Sequence, residues 1–184
     1  SAQITEGEIK QMTIAGRPDI PQSAYFDVIT GKTAILFAAA AAAGAQIAGA
    51  NADDVLVMHD YGLKLGLAFQ IMDDAMDYAV TAGIMGKNVG DDFAEGKVTL
   101  PLIVAMRNGS PEQASTVRQA ILTGEVADID NLLKTVKATG GLQYTEALAV
   151  AEIDKATACL EKLPASVYRD AMHDLARYSI NREY

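Results

Sequence analysis

The sequence predicts an all-α fold, and three observations predict it. Apolar residues recur at three- and four-residue intervals through most of the chain. Gly and Pro gather at a few points, among them Gly16-Arg17-Pro18, Gly49-Ala50-Asn51, Asn108-Gly109-Ser110-Pro111 and Gly140-Gly141, and cut that pattern into helix-sized lengths. No run alternates apolar and polar residues in the way a strand requires. About seven or eight helices with short connections read as an α-helical bundle.

In chain order, Ile4, Ile9 and Met12 mark the end of a helix within Ser1–Thr13. Pro21-Gln22-Ser23 opens the next, expected from Ser23 to Ala48. Its part from Ala34 to Ala45 is nearly all apolar. A membrane span was weighed against a core helix. Ala is a weak hydrophobe, Gln46 interrupts, and the run falls short of the roughly 20 residues a span needs. The expectation is a helix buried on most sides and no transmembrane segment. Ala38–Ala43 would let neighbouring helices approach closely. Asp53 or Asp54 helps start a long helix to about Ala82, acids being favourable at a helix N-terminus. A glycine-rich loop runs from Gly83 to Lys97. Pro101 sits in the first turn of a helix over Leu100–Arg107, where its missing N–H costs little. Helical patterns follow at Glu112–Leu122, Asp128–Thr139, Leu142–Leu163 and Ser166–Ile180.

At 184 residues, half of them hydrophobic, the chain is one globular domain able to bury a core. A net charge of −9 argues against nucleic acid and against an anionic membrane surface. Cys159, the only cysteine, excludes an internal disulfide and fits a reducing, cytoplasmic compartment; it reads as a small core residue. The N-terminus lacks the basic region and apolar run of a signal peptide. His59 and His173 read as structural, with no second ligand at metal-binding spacing.

The chemistry centres on Phe69-Gln70-Ile71-Met72-Asp73-Asp74-Ala75-Met76-Asp77-Tyr78. With Gln70 at zero, helical geometry sets Asp73 near about −60°, Asp74 near about +40° and Asp77 near about −20°. The acids share one arc with Gln70, and like charges so placed repel unless a cation resolves the conflict. Carboxylate oxygens suit Mg²⁺, which brings in substrate phosphates as further ligands. The arc continues through Gly66, Leu67 and Leu63, so an acidic mouth is expected above an apolar wall.

Gly86-Lys87-Asn88-Val89-Gly90-Asp91-Asp92-Phe93-Ala94-Glu95-Gly96-Lys97-Val98-Thr99-Leu100-Pro101 follows. Joined, the two stretches resemble the second aspartate-rich motif (FQxxDDxxDY) and the following loop (GKxxGxDxxEGKxTLP) of the trans-isoprenyl (polyprenyl) diphosphate synthases. Glu6-Gly7-Glu8-Ile9 with Gln11 resembles the EGExxQ segment of the long-chain, octaprenyl and decaprenyl, members. Lys32-Thr33 matches the family's Lys-Thr pair.

The resemblance implies the isoprenoid synthase fold, with residues 1–184 as the C-terminal portion of one synthase domain. It implies a prenyltransferase that condenses isopentenyl diphosphate with an allylic diphosphate to give trans-polyprenyl diphosphates. Its partners would be allylic and homoallylic prenyl diphosphates and a second copy in a homodimer. Its cofactor would be Mg²⁺, held by Asp73 and Asp74, with Asp77 in support. Gln70 would lie near the reacting diphosphate, and Lys32, Lys87 and Lys97 would clamp phosphates. Thr33 would assist as a hydrogen-bond partner, and Asp92 would steer a lysine. Gly86, Gly90 and Gly96 would let the loop close over ligand. The first DDxxD of the family does not occur in this sequence, so the chain alone is expected to be inactive. Two alternatives stand beside this. The lysine-rich loop speaks against a terpene cyclase or squalene-synthase-like enzyme, and the intact Asp73-Asp74-Asp77 set speaks against a non-catalytic partner subunit.

Overall fold

The structure is a computed structural model that describes residues 2–79, 96–124 and 129–181. Among the described residues it is helical throughout, without a strand. The helices are α1 (Ala2–Ile14), α2 (Gln22–Ile29), α3 (Ile35–Ile47), α4 (Ala52–Ala79), α5 (Leu100–Asn108), α6 (Pro111–Thr123), α7 (Ile129–Ala138), α8 (Gly141–Leu160) and α9 (Val167–Ile180). A π-helical turn, Thr30–Ala34, joins α2 to α3 without a break. These bounds agree with the periodicity to within a few residues. The expected extension of α4 to Ala82 lies outside the described residues.

The helix ends have local causes. The Ser110 side chain accepts from Gln113 N and the Gln113 side chain from Ser110 N, a reciprocal cap at the start of α6. Gly124 closes that helix at φ 64°, a left-handed conformation that favours glycine. Asn51 starts α4: its Oδ1 accepts from Asp54 N at 2.9 Å while its Nδ2 donates to Asp54 Oδ2. Sequence reasoning credited the acids there and missed Asn51.

The chain divides into two compact units. The first comprises Ser1–Glu8, Ile29–Gln70 and Leu148–Tyr184. Its core joins Tyr61, Leu65 and Ala68 of α4 to Ile153, Ala156 and Leu160 of α8 and Ala176 of α9. The spacings of three and four residues are those of one helix face. The second unit comprises Ile9–Val28 and Ile71–Ala147. Its α5 buries every residue from Leu100 to Ala105 and packs against α6 and α7. Burial of Thr99, Leu100 and Pro101 starts this helix inside the core of the second unit.

The expected burial of the alanine-rich helix is corrected. Ala34 and Ala38 are fully buried, but Ala39, Ala40, Ala43 and Gly44 are exposed, as are Leu36 and Ile47. The small residues of α3 serve one neighbour, α4, and the outward side has no described cover. The span estimate changes too. The continuous helix Gln22–Ile47 is 26 residues long with a mean hydropathy of 1.6 over its most apolar part, enough by length and composition to cross a bilayer. The sequence estimate counted only the alanine run, whereas the helix continues on both sides of it.

Candidate functional site

In the first unit, Lys32 and Thr33 lie on the π turn. π turns widen the backbone and recur at functional sites. Close packing accompanies this one. A Cβ on Gly7 would lie 2.5 Å from Lys32 N and 2.6 Å from Gly31 C, so α1 lies backbone to backbone against the turn. Only glycine at position 7 permits that approach. Glu8 brings a carboxylate 3.8 Å from Lys32 Nζ, an exposed pair that contributes little.

Thr33 Oγ1 donates to Gln70 Oε1 at 2.9 Å. The helix crossing makes this bond possible. A Cβ on Gly66 would meet Ala34 Cα at 2.7 Å, and one on Gly62 would meet Phe37 O at 2.4 Å. Ala34 of the π turn therefore sits directly on Gly66 of α4, and Ala38 of α3 on Gly62. This corrects the expected apolar wall: the arc at Gly66 is occupied by α3 and is not open. Phe37 and Phe69 continue the contact, with ring centroids 5.5 Å apart.

In the second unit, the three acids of α4 have different surroundings. Asp74 is fully buried. Tyr25 Oη donates to its Oδ2 at 2.7 Å and Lys97 Nζ to its Oδ1 at 2.9 Å. The ammonium bond is charge-assisted, and the acid and the lysine are 0% and 19% exposed. Burial first, and the Asp74 charge second, push the Tyr25 hydroxyl well above its ordinary range, so it stays protonated and donates. Asp73 is half-buried and forms no hydrogen bond or ion pair among the described residues. Asp77, one turn on, is also half-buried.

Lys97 reaches Asp74 because both ends of its segment are fixed. Gly96 has φ 71°, a conformation that favours glycine, and its carbonyl accepts from Gly16 N at 2.9 Å. Two residues after Lys97, buried Thr99 donates to Tyr78 Oη at 3.0 Å. Thr99 is the N-cap of α5 but makes no side-chain cap bond. Its hydroxyl serves Tyr78 instead. Residues 97–99 are thus tied to Asp74 and Tyr78, neighbouring turns of α4.

The expected ligand set, Asp73 and Asp74 with Asp77 in support, lies on α4 within the described residues. No three His, Cys, Asp or Glu side chains converge as a metal cage among the described residues. Adjacent residues on a helix differ by about 100°, so Asp74 turns inward where Asp73 does not. The donors present still fit Mg²⁺, which characteristically takes one or two carboxylates and completes its shell with water and phosphate oxygens. Asp73, half-buried and without a hydrogen bond or ion pair among the described residues, and Asp77, half-buried one turn on, have the chemistry to supply such carboxylates. Lys87, Gly86, Gly90, Asp91 and Asp92 lie outside the described residues.

The histidines pair with acids. His59 Nδ1 is 3.3 Å from Asp60, and His173 Nε2 is 3.0 Å from Glu161. Sequence reasoning missed Tyr25, for which no motif signal existed. It quoted Tyr78 and Thr99 without assigning them; a buried-side helix position four residues after Asp74 was the available clue for Tyr78.

Helices with short connections, and no strand among the described residues, define an all-α protein, whose second unit carries the acids of α4 and Lys97 and whose first carries the Thr33–Gln70 pair. The family model "Polyprenyl synthetase" matches residues 1–137. Octaprenyl diphosphate synthase of Escherichia coli (strain K12) is 42% identical over 181 residues, which cover 98% of this chain and 56% of that protein. A decaprenyl diphosphate synthase from Rhodobacter capsulatus superposes with a TM-score of 0.90 at 39% identity, covering 99% of this chain and 57% of that one. A polyprenyl synthase from Caulobacter crescentus CB15, solved in complex with calcium and isoprenyl diphosphate, gives 0.90 at 40% identity, covering 98% and 56%. The chain belongs to the polyprenyl synthetase family and has its all-α isoprenoid synthase fold. It spans about half the length of the relatives it matches.

Proposed function

We propose that this chain is the C-terminal portion of a trans-polyprenyl diphosphate synthase of the long-chain type, which condenses isopentenyl diphosphate with an allylic diphosphate. The observation that carries the proposal is the contrast between neighbours. Asp74 is fully buried and accepts from Tyr25 and Lys97, while Asp73 is half-buried without a described hydrogen-bond or ion-pair partner. The 42% identity to an octaprenyl diphosphate synthase supports the reaction class. The matched share of that relative, 56%, supports a further portion carrying the rest of the site.

Ionisation of an allylic diphosphate places negative charge on the departing oxygens, and fixed positive charge there lowers the barrier. Mg²⁺, when bound, supplies that charge neutralisation at the diphosphate. Asp73, with Asp77 one turn on, would hold it. Asp74 holds Lys97 by an ion pair at 2.9 Å, and the resemblance implies that Lys97, Lys87 and Lys32 would each add positive charge at the phosphates. Gln70 and Thr33, bonded to each other, orient polar groups beside the reacting carbon. The whole enzyme works as a homodimer in the cytoplasm.

The test is incorporation of labelled isopentenyl diphosphate into an allylic primer by the full-length parent protein. Asp73→Ala is expected to lower turnover by about 10²–10³, the worth of one electrostatic group of this kind. Near-normal turnover of that variant would refute the metal assignment. Full activity of the 184-residue chain alone would refute the claim that a further portion is needed.

A further inference from the structure

We propose that Tyr25 is a positioning residue of the diphosphate site, acting through Asp74 on Lys97. The inference rests on the proposed function above and adds a residue that no motif contains. Tyr25 stands 49 positions before Asp74 in sequence, on α2, yet its Oη lies 2.7 Å from Asp74 Oδ2. The ring is 3% exposed and edge-on to Phe26 at 5.6 Å, so the phenol has little room to move.

A carboxylate has two equivalent oxygens, and a lone lysine can bridge both or swing between them. Here they are not equivalent. The Tyr25 phenol occupies Oδ2, which leaves Oδ1 to Lys97 at 2.9 Å. Lys97 keeps 19% of its side chain in solvent whereas Tyr25 is buried, so one carboxylate oxygen is held from the interior and the other from the more open side. A neutral donor suits this task. It satisfies a buried acceptor without competing for the negative charge that retains the ammonium. Without the hydroxyl, Oδ2 loses that donor, and the carboxylate is drawn to share Lys97 across both oxygens. The ammonium is then drawn away from the phosphates. The Thr99–Tyr78 bond holds the backbone of the segment meanwhile, so the change falls on the lysine head group.

The experiment measures binding of inorganic diphosphate with Mg²⁺ by calorimetry to the 184-residue chain, as wild type, Tyr25→Phe, Lys97→Met and the double variant. Tyr25→Phe is expected to weaken binding about tenfold in the wild-type background, the order of one hydrogen bond to a charged group. It is expected to change nothing in the Lys97→Met background. Equal losses in both backgrounds, or none in the first, would overturn the proposal. Placing 4-aminophenylalanine at position 25 restores a donor and is expected to restore affinity; a failure to do so while the fold is retained also counts against it. The ¹⁵N resonance of the Lys97 ammonium gives a reading independent of ligand. It is expected to shift in Tyr25→Phe, and an unchanged resonance would overturn the proposal. If the 184-residue chain by itself binds no diphosphate, the proposed function stands, since a further portion is proposed to carry the rest of the site, and the ammonium resonance decides the role of Tyr25.

Discussion

Replacing Asp74 by Asn should destabilise the protein where replacing Asp73 by Asn should not. Asp74 is fully buried and accepts from Lys97 at 2.9 Å and from Tyr25 at 2.7 Å. Removing one charge from a buried pair costs about 3–5 kcal/mol, because the other charge stays behind uncompensated. Two features place this case at the lower end. Lys97 keeps 19% of its side chain in solvent. The Asn amide oxygen can still accept from one of the two donors. With a loss of about 3 kcal/mol and about 2–4 °C per kcal/mol for a chain of this size, the midpoint should fall by about 6–12 °C. Asp73→Asn removes a half-exposed acid with no described hydrogen-bond partner and relieves repulsion along α4, so its effect should stay within about 0.5 kcal/mol. Thermal unfolding followed by circular dichroism at 222 nm measures both. Added Mg²⁺ and diphosphate should raise the wild-type midpoint and leave that of Asp73→Asn unmoved, since ligand stabilises only the state that binds it. An Asp74→Asn midpoint within about 2 °C of wild type would refute the reasoning, since a broken buried pair cannot cost so little. An Asp73→Asn loss as large as that of Asp74→Asn would do the same.

Gly66→Ala should destabilise by about 1–3 kcal/mol through overpacking, because the new Cβ would lie 2.7 Å from Ala34 Cα on a facing helix backbone. Urea unfolding checks it; Gly44→Ala, where nothing lies within 4 Å, serves as the control and should not destabilise. Tyr61 donates to Met172 O at 2.9 Å, and burial pushes its hydroxyl up to about 12. The unfolded chain ionises this tyrosine near the ordinary value of 10 while the folded chain retains the proton. Its contribution is therefore intact below pH 10 and lost as pH rises from there toward about 12. Tyr61→Phe should flatten that alkaline fall in a series of unfolding curves against pH, and an unchanged slope would count against the assignment.

Much of the fold could be read directly from residue order. Helix starts and stops follow from local chemistry, such as Ser110 with Gln113, Gly124 and Pro101, each of which acts within one turn. The acidic face of α4 was likewise legible, because periodicity fixes angles along a single helix. The sequence alone thus determined an all-α chain, its helix boundaries and the candidate acids and lysines. Which acid turns inward, which side of α3 stays open and what fills the arc at Gly66 depended on neighbours far away in the chain. Asp73 and Asp74 are adjacent and chemically identical, and nothing within one turn distinguishes them. Tyr25, from 49 residues upstream, and Lys97, from 23 downstream, make Asp74 a buried anchor, while Asp73 stays half-buried without a described hydrogen-bond partner. Helical periodicity encodes direction around one axis, whereas burial and pairing depend on what packs against that axis, and only the tertiary structure brings those residues together.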